Sequence, residues 1–198
     1  ESEKQMQVFI ENLSPRDLLL FGEQLGRWVE TAPSYEREGI GYLFTRILHY
    51  YSEKTKGQEE IKFLIDIVQD KSYNPIFRKW ILFWFREVGH SGVPNIVCYF
   101  NDSQIRKMFE VMDHISFDRE DFESVREEAI STIGTLIKFS YHNNVSKTWP
   151  KPIYLCIRDK MATTLKNFLE MIGTPSESAR ILKATNFSLS MLTSLPMN

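Results

Sequence analysis

The side chains with the widest chemical scope in this 198-residue chain are four histidines, two cysteines and one acid-rich run. Structural zinc usually takes four Cys or His ligands at short, regular spacings. His49, His90, His114 and His142 stand singly, and no Cys-x-x-Cys, His-x-x-x-His or His-Glu-x-x-His spacing occurs. Each imidazole falls near an expected helix end, where it can meet exposed carbonyl groups. The expectation is no metal and no cofactor, since a site at His49 or His114 would need donors from a partner chain. The acids of SFDREDFESVREE, residues 116–128, read as a helix start, where carboxylates meet the positive end of the helix dipole. No Gly-rich phosphate loop, G-x-S-x-G turn or kinase set is present, so the chain reads as a non-enzyme.

Cys98 and Cys156 sit among apolar neighbours in NIVCYF and PIYLCIRD, which suits buried, reduced thiols of an intracellular protein of nucleus or cytoplasm. Asn12, Asn101, Asn144 and Asn186 each begin an N-x-S triplet. With no secretory signal in the charged opening ESEKQMQVFI, those triplets read as chance. That opening also lacks a Met, so a fragment of a longer protein is expected. No apolar run approaches the roughly 20 residues that span a bilayer, and membrane association is not expected. A net charge of −2 supplies no field toward nucleic acid.

Recognition chemistry is better represented. In RKWILFWFREVGH, residues 78–90, six large apolar side chains run from Trp80 to Phe85. On a helix, Phe77, Trp80 and Trp84 share one face, while Ile81, Phe85 and Val88 lie about 100° round. Such a helix is either packed by protein on several sides, as aromatic residues mostly are, or its Phe77/Trp80/Trp84 stripe lines a groove for a partner's helix. A second candidate is NVSKTWPKPIYLCIRDK, residues 144–160, where Lys147, Lys151, Arg158 and Lys160 surround Trp149 and Tyr154. Basic groups with interleaved aromatics can stack bases, but the same pattern fits a solvated loop that tucks Trp149 into its neighbours. With no second basic cluster, nucleic acid is the weaker reading and a protein contact the stronger.

The elements that position these groups all read as helices. Ser14-Pro15, Asn74-Pro75 and Thr174-Pro175 place a capping side chain before a proline suited to the first turn. Glu177, three residues after Thr174, completes a capping box, and Asp118 marks another start. Apolar residues then recur at three-and-four spacing: Leu18, Phe21, Leu25, Trp28 and Val29; Ile40, Leu43, Phe44, Ile47, Leu48 and Tyr51; Ile61, Leu64, Ile65 and Val68; Val125, Ala129, Ile133, Leu136 and Ile137; Leu165, Phe168, Leu169 and Ile172. Only NIVCYF, residues 95–100, is ambiguous with a strand.

The pattern predicts one all-α domain over 1–198, with eight or nine helices in antiparallel pairs: 15–31 with 35–55, 58–71 with 75–88, 96–115 with 118–141, and 152–172 with 175–194. The first two pair spacings, 43 and 38 residues, lie in or close to the roughly 40–47-residue period of HEAT or armadillo units, and the third, 56, exceeds it. A compact bundle, such as a dimerising fold of the TRF-homology kind, gives the same string of helices. The final segment, with Ile181, Leu182, Phe187, Leu189, Met191, Leu192 and Leu195, caps the array or pairs with a second copy. The functional expectation is a scaffold or adaptor domain that binds a peptide or helix of another protein within a larger complex. The alternative is a self-associating module of a chromosome-associated, telomere-type complex, and single-stranded nucleic-acid binding ranks below both.

Overall fold

Side-chain caps decide where several helices of this chain begin. The computed structural model describes residues 2–33, 36, 37, 39–41, 43, 44, 47, 58–86, 96–141 and 151–195. A helix α1 (Ser2–Asn12) precedes α2 (Pro15–Thr31), whose cap is Ser14: its Oγ accepts the Asp17 N–H at 3.1 Å. The described residues between 36 and 47 are helical. Then come α3 (Gln58–Gln69) and α4 (Pro75–Arg86), the latter capped by Asn74, whose Oδ1 accepts the Ile76 and Phe77 N–H groups at 2.9 and 3.2 Å. Both Xaa-Pro starts thus stand where the sequence puts them.

The ambiguous NIVCYF stretch is a 3-10 turn at Ile96–Tyr99, and no strand occurs among the described residues. The long helix expected over 96–115 instead starts afresh at Asp102. A capping box causes this, because Asn101 Oδ1 accepts the Gln104 N–H at 2.9 Å while Gln104 Oε1 accepts the Asn101 N–H at 2.8 Å. Helix α5 (Asp102–Phe117) is followed by α6 (Glu123–Tyr141), α7 (Lys151–Arg158), α8 (Met161–Ile172) and α9 (Ala179–Thr193).

Three expected boundaries move. The span 152–172 is broken by a two-residue turn at Asp159 and Lys160 that no Gly or Pro marks. Asp118 ends α5 rather than starting α6: its carboxylate pairs with Lys71 at 2.6 Å and accepts the Glu120 N–H at 3.1 Å, holding a turn before α6. The Thr174/Glu177 capping box does not form. Glu177 turns inward to Arg126 at 2.8 Å and Arg119 at 3.3 Å, so α9 begins four residues later, with Ser178 accepting the Ile181 N–H. Pairing with an already buried guanidinium outweighs an exposed cap, because an Arg126 left alone would be an uncompensated charge.

The helices pack in two rows. In one, α2 lies on α4, α4 on α6, and α6 on α9; in the other, α3 lies on α5 and α5 on α7. Helix α6 is central, with Val125, Ala129, Ile130, Ile133, Leu136 and Ile137 fully shielded from solvent. Burying each of the Val, Ile and Leu side chains contributes about 1.5–3 kcal/mol. The α2–α4 crossing is tight because α2 presents Gly22 and Gly26. A Cβ on Gly22 would meet the Phe77 and Phe44 rings at 2.8 and 2.9 Å, and one on Gly26 would meet Asn74 Oδ1 at 2.9 Å. With those glycines inward, Trp28 rotates outward and is 53% exposed, contrary to its place in the predicted stripe, and Leu19 is buried instead.

One buried ion pair ties the rows together. Arg78 has no solvent exposure; its two terminal nitrogens donate to the two Asp121 oxygens at 2.7 and 2.6 Å, and its Nε donates to the Val68 carbonyl at 2.8 Å. Removing one partner from such a pair leaves a stranded charge, which typically costs about 3–5 kcal/mol. Asp121→Asn is expected to lower the free energy of unfolding by about that amount, read from urea midpoints. The double variant Arg78→Met/Asp121→Asn should lose less than the single one. An equal or larger loss would show that the pair does more than neutralise itself.

Asp113 on α5 behaves in the opposite way. Burial raises its carboxyl above the ordinary value, only partly offset by a hydrogen bond with Asn167 and by Lys160. The folded chain therefore holds this proton more tightly than the unfolded chain, so stability falls as pH rises through the carboxyl range. Asp113→Asn should stabilise the fold at pH 7, and the gain should shrink as pH drops toward about 4, where the unfolded carboxyl protonates. Denaturation midpoints of both proteins across that range check the sign.

Candidate protein-binding surface

Helix α4 answers the question its sequence raises by packing on both sides. It lies between α2 and α6, and Thr132 Oγ1 of α6 donates to the Leu82 carbonyl at 3.0 Å. Phe77, Ile81, Leu82 and Phe85 are buried. Phe77 is thus an interior residue: its ring meets Phe44 edge-on at 5.7 Å and fits against Gly22, leaving no face for a partner. Trp80 and Trp84 are half-buried against the core, with Trp80 tilted over Phe44 at 4.3 Å. The predicted stripe is therefore split, one residue sealed and two at the boundary.

The 144–160 candidate also divides. Trp149 and Lys147 lie outside the described residues. Tyr154 is half-buried on α7 and serves Arg158, whose guanidinium sits 5.2 Å from its ring centre and 4.5 Å from that of Tyr141. The Arg158 Nε donates to the Ser140 carbonyl near the end of α6 at 2.7 Å. This cation between two rings closes the α6–α7 junction, so its charge is directed into the fold rather than toward a phosphate.

Among the other chemistry-bearing residues, Cys156 is a free, buried thiol whose pKa burial pushes up to about 11. The Cys98 side chain and His49, His90 and His142 lie outside the described residues, while His114 is exposed on the last turn of α5. Among the described residues no group of three or more His, Cys, Asp or Glu gathers as a metal-holding cluster. Nor is any described helix long and apolar enough to cross a membrane.

A surface that the sequence reading passed over has the features of a docking site. Between α2 and α3 lies a pocket of about 70 Å³, lined by Arg16, Leu19, Leu20, Phe63, Ile67 and Tyr73. Leu19 and Ile67 are buried and form its floor; Leu20 is 52% and Phe63 39% exposed, and they form its walls. Phe9 of α1 leans edge-on against Phe21 of α2 at 5.9 Å, with Val8 and Phe9 themselves exposed. A sequence signal did exist. Four consecutive apolar residues, Leu18 to Phe21, span about 300° of a helix and cannot all face one core. On α3, likewise, Phe63 falls off the inward Leu64, Ile65, Val68 stripe.

Compared with known proteins, the chain matches no family model, no curated protein and no solved structure.

Proposed function

We propose that this chain is a non-enzymatic interaction domain that binds a segment of another protein at the α2–α3 surface. The observation that carries the reading is the pairing of exposed walls, Leu20 and Phe63, with a preformed apolar floor, Leu19 and Ile67. Exposed apolar side chains around a concave floor are how anchor pockets are built, and a few such residues carry most of an interface's energy. Trp80 and Trp84 offer further half-exposed aromatic area. The two-row order of helices supports a scaffold built as a short stack, in which each pair touches its neighbours.

Leu20→Gln/Phe63→Gln is expected to leave the fold intact, because both side chains are partly exposed and outside the buried core, and Gln is a good helix former. The test is chemical crosslinking of the full-length protein in its own cells, followed by mass spectrometry. Crosslinks from the neighbouring Lys62 to another protein, lost in the double variant at unchanged melting temperature, support the reading. Crosslinked partners unaffected by the substitution would move the binding surface elsewhere.

Self-association is a second reading, favoured by the outward faces of the last two helices. Leu169 on α8 and Phe187 on α9 are 59% and 62% exposed. Sedimentation velocity of the purified chain at high concentration separates the two. A dimer that Leu169→Gln/Phe187→Gln converts to monomer supports self-association, and a monomer at every concentration removes it.

A further inference from the structure

The α2–α3 pocket is small, and its lining carries a single charge. We propose that its occupant is a peptide segment that inserts one aliphatic side chain and sets an Asp or Glu carboxylate beside Arg16. The inference rests on the reading of this surface as a protein-binding site and names the chemistry of the partner. The pocket's volume of about 70 Å³ is about half of the roughly 150 Å³ that houses a benzene ring. That space suits a Leu, Ile, Val or Met branch better than an aromatic ring.

The lining then sets the polar requirement. Leu19, Leu20, Phe63 and Ile67 bring no hydrogen-bonding side chain, and of the six lining residues Arg16 alone is charged. Arg16 is exposed on the first turn of α2, and the adjacent acid, Asp17, is engaged by the Ser14 hydroxyl at 2.6 Å. A guanidinium at the rim of an apolar pocket pairs with a planar carboxylate through two parallel hydrogen bonds and repels a lysine. Partner segments that combine an aliphatic anchor with an acid within about one helical turn satisfy both demands.

The probe is a random twelve-residue peptide library displayed on phage, panned against the purified chain. Synthetic copies of the enriched peptides are then titrated by fluorescence anisotropy. The enriched sequences are expected to share an aliphatic residue with Asp or Glu within four positions. Leu20→Gln/Phe63→Gln should weaken their binding by tenfold or more, as loss of an anchor pocket does. Arg16→Glu should weaken it by about five- to tenfold, an effect that falls with added salt. Glu is well placed on a first helical turn, so the variant is expected to fold, with circular dichroism as the check.

Peptides that depend on Leu20 and Phe63 but carry aromatic anchors, or that ignore Arg16→Glu, overturn the inference and leave the protein-binding reading standing. A library that yields no peptide sensitive to Leu20→Gln/Phe63→Gln overturns both.

Discussion

Everything in this fold is arranged around a guanidinium that water cannot reach. Arg78 enters the interior because α4 is aromatic on nearly every side and its first turn is clamped by Asn74 against α2. Once inside, its charge must be met, and the carboxylate that meets it arrives from the α5–α6 connection, 43 residues along the chain. The Val68 carbonyl at the end of α3 takes the remaining Nε proton. One side chain therefore fixes the relative positions of three successive parts of the chain. Burying such a pair brings little net stability compared with apolar residues of equal volume, but it penalises any packing that separates its members. Its place in this fold is one of register, setting which turn of α4 faces which end of α6.

The same logic recurs at smaller scale. Arg126 reaches back to the Ser116 carbonyl at 3.0 Å and forward to Glu177, linking the end of α5 to the segment before α9. Arg86 pairs with Glu128 at 2.8 Å across the α4–α6 contact. Buried Glu23 accepts the Asn74 N–H and pairs with Arg27 at 2.8 Å, securing the α2–α4 crossing. In each case a long-range charge settles a junction that apolar packing alone would leave able to slide.

These pairings also explain what could and could not be read from the residues. The helical class, the Ser14 and Asn74 starts and the α6 core were legible, because each depends on local spacing or on a cap within three residues. Glu177 was misread because its sequence context is that of a capping box, while its actual partner, Arg126, lies 51 residues away. Phe77 was read either as core or as one member of a groove, because periodicity shows that residues share a side of a helix without showing what covers it. Two glycines in α2 supply that cover by admitting the ring. The α2–α3 pocket was missed for the converse reason. Leu20 and Phe63 are apolar, and apolar residues in a helix are counted as core until a structure shows which of them the core has no room for.

The apolar residues of helix α9 are interspersed with Ser and Thr. Those small side chains are what allow it to lie against α6. Ala184, Thr185 and Ser188 face inward, the hydroxyls returning to carbonyls at Ile181 and Ile130, and Gly134 faces Ser188 so closely that a methyl group there would stand 2.8 Å from its Cβ. Two backbones brought this near, without long flexible side chains between them, have little freedom to rock or slip past one another. Helices α6 and α9 are consequently held as one rigid unit, against which the rest of the array is seated.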